Sequence, residues 1–196
     1  MRCFDFCFTL VNVNTTYSFV DYCASKSGFC FKTKLFFIKV FSKILLMFGF
    51  INSSQHSQFR VSVLKGTKLV DLRCFSKGFA LILNEHINED VFCKLTAEYF
   101  NDAIIVSNAL EFVIKDFLEL KSLEYPVIGS SLVDDGLKLL GEYDLYVPSK
   151  GKVNVLLERY PSVVIDEFYT DDFEADYDLV DFSTVSRFVS KGKIAL

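Results

Sequence analysis

The chain has 196 residues, of which 51% are hydrophobic and 22 are phenylalanine, and its mean hydropathy is +0.31. Those values exclude a disordered chain and suit one well-buried core with a small appendage. The net charge of −4 hides a division: residues 1–80 carry 11 Lys and Arg against 3 acids, and residues 81–196 carry 10 against 22. Such halves either attract one another in the fold or meet partners of opposite sign. Abundant Phe with 3 Pro, 2 His and no Trp fits a T-rich, C-poor gene, as in some viruses and small A/T-rich genomes.

Met1 to Val13 is apolar and strand-like, interrupted by Asp5, and makes a poor secretory signal. Asn14 and Asn52 open glycosylation-type triplets, which matter only in a secreted chain. The six cysteines, at 3, 7, 23, 30, 74 and 93, contain no C-x-x-C and match no zinc spacing, so free, mostly buried thiols are expected. Leu35 to Ile51 is the most hydrophobic segment. It is short for a membrane span and carries Lys39 and Lys43 on one helical side. Two readings remain open for it: an ordinary core helix with a solvated stripe, or a helix lying in a membrane interface.

A polar linker at 53–57 precedes Phe59–Leu64, Thr67–Phe75 and Phe79–Leu83. Gly66 and Gly78 between these runs suggest a three-stranded antiparallel meander. Asn88 opens a helix with Val91, Phe92, Leu95 and Tyr99 on one side.

The most structured stretch is Asp102–Pro148. Ala103–Ser107 reads as a strand buried on both faces. Asn108 and Glu111 have the spacing of a capping box, followed by a helical stripe of Leu110, Val113, Ile114, Phe117 and Leu118. Val127-Ile128 is a second strand. Ser131 is expected to cap a second helix with Asp134 and Asp135 in its first turn and Gly141 at its end, and Tyr143–Val147 is a third strand. Ligands of open parallel sheets lie beyond the carboxyl ends of the strands. That makes Ser107, Asn108, Gly129, Ser130 and Ser131 the candidate ligand residues, with Gly129–Ser131 as a phosphate cradle or simply a capped glycine turn. Val153–Leu157 and Ser162–Ile165 read as an edge strand pair. Asp166–Phe182 alternates acids with aromatics, as a partner-binding tail or a solvated terminus. Ser186–Leu196 is expected to close the chain with a strand.

The expected fold is α/β or α+β, with an antiparallel meander followed by a small parallel β-α-β-α-β unit. Residues 1–52 form an apolar, Cys-rich segment packed on the core, 59–165 the core domain, and 166–196 the acidic–aromatic end. The motifs of zinc proteases, serine hydrolases, kinases and zinc deaminases are absent. His56 and His86 pair with no marked cysteine, and the adjacent acids Asp134-Asp135 and Asp171-Asp172 point in different directions, so no catalytic residue, metal ligand or cofactor is assigned. The expected function is that of a non-enzymatic, cytoplasmic accessory protein, in the host cytoplasm for a viral gene. Phe168, Tyr169, Asp171, Asp172, Phe173, Glu174, Asp176, Tyr177 and Asp178 would contact a basic protein partner. The alternatives are a small-ligand protein or enzyme using the strand-end loops, and a membrane-peripheral protein anchored by residues 35–51. Nucleic acid is disfavoured because the acidic half repels a phosphate backbone.

Overall fold

The structure is a computed structural model that describes residues 1–97 and 102–195. Tyr99, expected on a helix face, lies outside the described residues. Its centre is strand β1 (Arg2–Phe4), buried throughout. Five helices follow before the next strand: α1 (Thr15–Lys26), α2 (Phe29–Met47), α3 (Ser53–Val61), α4 (Leu69–Asn84) and α5 (Glu89–Thr96). The chain then forms β2 (Ala103–Leu110), α6 (Glu111–Leu120), β3 (Val127–Asp134), β4 (Leu139–Leu145), α7 (Lys152–Arg159), β5 (Glu167–Thr170), α8 (Tyr177–Phe182), β6 (Val185–Ser190) and β7 (Lys193–Ile194).

The strands form one seven-stranded sheet in the order β4-β3-β2-β1-β5-β6-β7. β3, β2, β1, β5 and β6 run parallel, and the β3–β4 and β6–β7 pairs are antiparallel. Alternating strand residues divide the core. Phe4, Ile105 and Tyr169 face the larger cluster with Phe19, Phe79 and Phe117 from α1, α4 and α6. Cys3, Ile104, Val106, Ile128 and Phe168 face the smaller one, with Leu156 of α7 and Leu179 of α8. This three-layer sheet is an α/β fold, as expected from the central stretch.

Several local expectations are corrected. The meander is absent: residues 53–84 are α3, a short 3-10 turn and α4. Leu72, Ser76, Phe79, Ala80 and Leu83 bury one face of α4 at helical spacing. Gly78 lies inside that helix because a Cβ there would come within 2.5 Å of the Tyr22 hydroxyl. The second helix of the β-α-β-α-β unit is replaced by the β3–β4 hairpin. Asp134 and Asp135 accept from the backbone N–H groups of Gly136, Leu137 and Lys138, and Gly136 takes a φ of +86° that favours glycine. The Lys138 and Leu137 N–H donors hold the Asp135 carboxyl below its ordinary range. Gly141 lies within β4 rather than at a helix end. Asn108 is within β2, so α6 starts without its side-chain cap. Val153–Leu157 belongs to α7, and the acidic–aromatic end is folded as β5 and α8. Cys3, Cys7 and Cys23 are buried free thiols, and Cys30, Cys74 and Cys93 are exposed. Among the described residues no helix is long and apolar enough to cross a membrane.

Candidate active site

The chain leaves β1 toward β2 on one side and later returns to place β5 on the other side of β1. A crevice beyond the carboxyl ends of parallel strands forms where the strand order reverses in this way. Asp5 directly follows β1, and Asp171 directly follows β5.

Asp5 is buried and does not stand alone. The Lys152 ammonium, only 3% exposed, lies 2.8 Å from Asp5 Oδ1 and 2.7 Å from Asp176 Oδ1. Burial alone would lower the Lys152 pKa, but the Asp5 and Asp176 charges outweigh it and hold the ammonium charged. Asp176 is pushed up to about 6 by burial and then by Asp5, against the pull of Lys152. Thr170 Oγ1 donates to Asp176 Oδ2 at 2.7 Å. The start of α7 is fixed by Asp178 Oδ2, which accepts from the N–H groups of Gly151 and Val153 and so places Lys152 between the two carboxylates.

Asp171 completes the cluster. Thr9 Oγ1 donates to Asp171 Oδ1 at 3.2 Å and accepts from the Asp171 N–H at 3.0 Å. Burial and then the Asp5 charge push Asp171 up to about 6. Thr9 is held in turn by a tight loop in which Phe8 has a φ of 56°. Asn88, at the start of α5, donates to the carbonyls of Phe8 and Thr9 at 3.0 and 2.7 Å. Cys7, two residues after Asp5, is buried. Desolvation and then Asp5 push its thiol up to about 11, so it is neutral at ordinary pH. Three carboxylates and one ammonium thus share the strand-end crevice. A cleft of about 680 Å³ opens beside it, lined by Asn52, Ser54, Tyr146, Ser149, Lys150 and Asp172 among others. A larger opening of about 860 Å³ lies at the amino end of β3, away from these carboxylates.

The residues singled out from sequence divide sharply. Ser107 is buried in β2. It lies two residues beyond Ile105, the partner of Phe4 at the end of β1. Asn108 contributes its carbonyl to the Ser130 hydroxyl. Gly129, Ser130 and Ser131 lie within β3 rather than at the start of a helix of their own. Ser130 Oγ also accepts from Val147 N–H, Ser131 bonds Asp144, and a Cβ on Gly129 would meet the Glu111 backbone at 2.7 Å.

Of the acidic–aromatic set, Phe168, Tyr169 and Asp176 are buried and offer no surface to a partner. Asp171 and Asp176 instead face the crevice, and Asp178 caps α7. Only Phe173 and Tyr177 of the aromatics present appreciable surface. Sequence reasoning missed Asp5, Thr9 and Lys152. The available signal was Asp5 itself, a lone carboxylate directly after the short buried strand Arg2–Phe4.

No family model matches the sequence. No curated protein matches it either. Solved structures do resemble the fold. A protein of unknown function from Bordetella pertussis Tohama I superposes with a TM-score of 0.75 at 15% identity, covering 92% of this chain and 85% of that one. A HAD family hydrolase from Salmonella enterica subsp. enterica serovar Typhi gives 0.59 at 15% identity, covering 93% of this chain and 59% of that one. A phospho-aspartyl intermediate analogue of phosphoserine phosphatase gives 0.52 at 18% identity, covering 94% and 83%. The chain therefore shares the α/β fold of these structures. The expectation of a non-enzymatic accessory protein is overturned: the neighbours of stated function are hydrolases, and they favour the small-ligand or enzyme alternative.

Proposed function

We propose that the protein is a hydrolase of phosphate esters in which Asp5 is the nucleophile. The observation that carries this reading is the buried Asp5–Lys152–Asp176 cluster at the carboxyl ends of β1 and β5. A carboxylate can take a phosphoryl group as an acyl phosphate, splitting one difficult displacement into two easier ones. The Asp5 carboxylate lies 2.8 Å from the Lys152 ammonium, at the crevice where ligands of such sheets bind. The phosphorus–ester-oxygen bond breaks as the Asp5 oxygen bonds to phosphorus, and the departing oxygen takes a proton from water. Water then cleaves the acyl phosphate, releasing phosphate and restoring Asp5. Lys152 neutralises charge on the phosphoryl oxygens at no cost of reorganisation, because Asp176 and the Asp178 cap already fix it. Thr9 orients Asp171. The phospho-aspartyl intermediate analogue of the phosphoserine phosphatase neighbour supports an aspartyl nucleophile in this fold.

Phosphoryl transfer commonly draws on a divalent cation, which neutralises developing charge between the transferring oxygens. Among the described residues no cluster of three metal-ligating side chains is present. Magnesium, however, takes only one or two carboxylates together with substrate phosphate and water. Asp5 and Asp171 fit that requirement: they are hard oxygen donors, burial and then the Asp5 charge raise Asp171, and three carboxylates share one ammonium. The neutral Cys7 thiol is not a hard-cation ligand.

The test is phosphate release from p-nitrophenyl phosphate and a panel of phosphomonoesters, with magnesium, for wild type and Asp5→Asn. Release by wild type and a loss of at least about 10³-fold in the variant are expected. A hydroxylamine-sensitive phosphoryl-enzyme should form only with Asp5 present. No release from any ester, or unchanged release by a folded Asp5→Asn protein, would sink the reading.

A further inference from the structure

Helix α2 is built inside out. Its inner face is Phe31, Leu35, Ile38 and Ser42, of which Leu35 and Ser42 are the fully buried members. The outer face presents Phe37 at 64%, Met47 at 73% and Phe48 at 66% exposed, with Phe36, Val40, Phe41 and Ile44 also exposed, and Phe50 follows at 75%. A folding requirement would bury the phenylalanines and expose the serine. The exposed apolar residues recur every third or fourth position and cover an arc of about 140° at the ordinary helical repeat. Scattered surface apolar residues need no explanation, but one continuous aromatic face does.

Charge argues for what covers it. Residues 22–70 contain eight Lys and Arg and no Asp or Glu. Helical geometry puts Lys32, Lys39 and Lys43 along one border of the apolar arc and Lys34 along the other. Lys39 pairs with Asp21, and Lys34 donates to the carbonyls of Ser62 and Val63. Lys32 and Lys43 are exposed and enter no salt bridge among the described residues. An apolar face bordered by lysines whose stems reach past it matches an anionic lipid interface, with the side chains in the acyl boundary and the ammoniums at the head groups. A second copy of the chain fits less well, since apposing two α2 faces two-fold would bring their lysines together.

We propose that α2 and the following Phe50 dock the protein on an anionic lipid bilayer. Asn52 and Ser54, immediately after Phe50, line the cleft beside Asp172, so the bound face continues into the cleft mouth. Resting on the hydrolase reading, docking makes phosphomonoesters carried by membrane lipids the favoured substrates.

The experiment is flotation with vesicles of phosphatidylcholine, with and without phosphatidylglycerol. It uses wild type, Phe37→Ser/Ile44→Ser/Phe48→Ser, and Lys32→Glu/Lys43→Glu, each checked for cooperative melting. Wild type should float with the anionic vesicles only, and the serine variant should not float. The charge reversal should weaken binding by more than about tenfold. A wild type that stays down, a serine variant that floats equally, or an α2-dependent dimer in solution in place of flotation would overturn docking. Hydrolysis is read separately on p-nitrophenyl phosphate and on vesicle-borne phosphatidic acid. The serine variant should keep the soluble rate and lose the vesicle rate. Equal vesicle rates would overturn the lipid-substrate claim. Flotation without hydrolysis of either would uphold docking and reject the hydrolase reading instead.

Discussion

The crevice and helix α2 depart from ordinary folding in opposite directions. At the crevice, an ammonium and two carboxylates are removed from water, where each charge costs several kcal/mol unless well paired. On α2, a row of phenylalanines is left in water while a serine is buried. Neither arrangement is what stability alone would select, since apolar residues at the crevice and polar ones on α2 would fold as well or better. The two regions also differ in how tightly their departure is fixed. The charges are held by hydrogen bonds from four separate segments, so they are part of the fold. The outer face of α2 touches little else, so the fold is indifferent to it. Substitutions separate these two kinds of departure.

The largest effect is expected at Lys152. Lys152→Met leaves Asp5 and Asp176 buried against one another without a counter-charge and should cost about 3–5 kcal/mol in urea denaturation at neutral pH. The deficit should shrink near pH 5, where Asp176, already pushed up to about 6, takes a proton. Replacing Asp5 and Asp176 by Asn in the same chain should restore most of the loss. A Lys152→Met protein as stable as wild type would mean that the charges are not held together as described.

Across α2 the inner and outer faces should respond unequally. Leu35→Ala, on the buried side, should cost about 2–5 kcal/mol. Phe37→Ser, on the exposed side, should change stability by no more than about 0.5 kcal/mol, although it removes the larger side chain. Equal losses at the two positions would show that the aromatic face packs against protein, and the contrast between the regions would collapse.

The same contrast explains what was legible in the sequence. Periodicity and apolar runs report burial, so β2, the stripe of α6 and the strand-like start of the chain could all be read. Leu72, Phe79 and Leu83 have the spacing of α4, but with Gly78 taken as a turn the stretch reads as two strands, whereas that glycine's role is the close approach of Tyr22. The hairpin at Asp134–Lys138 was hidden because Ser, Asp and Gly serve a helix start and a tight turn equally well. For α2, sequence left the core and interface readings side by side, since it does not say which face the rest of the chain covers. The crevice was the least legible part. Asp5, Lys152, Asp171 and Asp176 are scattered over most of the chain, and only the strand order brings them together. Asp171 and Asp176 read as part of a repelling acidic run because their partners, Thr9 and Lys152, are distant in sequence.

The smallest effect tests whether that repulsion is real and what it serves. Asp171 has a folded pKa of about 6 against an ordinary 3.8. Between those values the folded protein retains a proton that the unfolded chain has released. The group therefore favours folding below about pH 4 and loses that contribution as pH rises to 6. Asp171→Asn keeps an oxygen to accept from Thr9 while removing the charge. Its gain in stability over wild type should be about 1 kcal/mol at pH 7.5, allowing for solvent screening of a part-exposed group, and should vanish near pH 4. The same variant should need on the order of 10–100-fold more magnesium for half-maximal hydrolysis, because a carboxylate that destabilises the fold is the one a cation would use. Thermal melts from pH 4 to 8 and a magnesium titration at fixed ester read the two effects independently. A stability gain with unchanged magnesium dependence would leave Asp171 repelled by Asp5 and would remove it from the cation site.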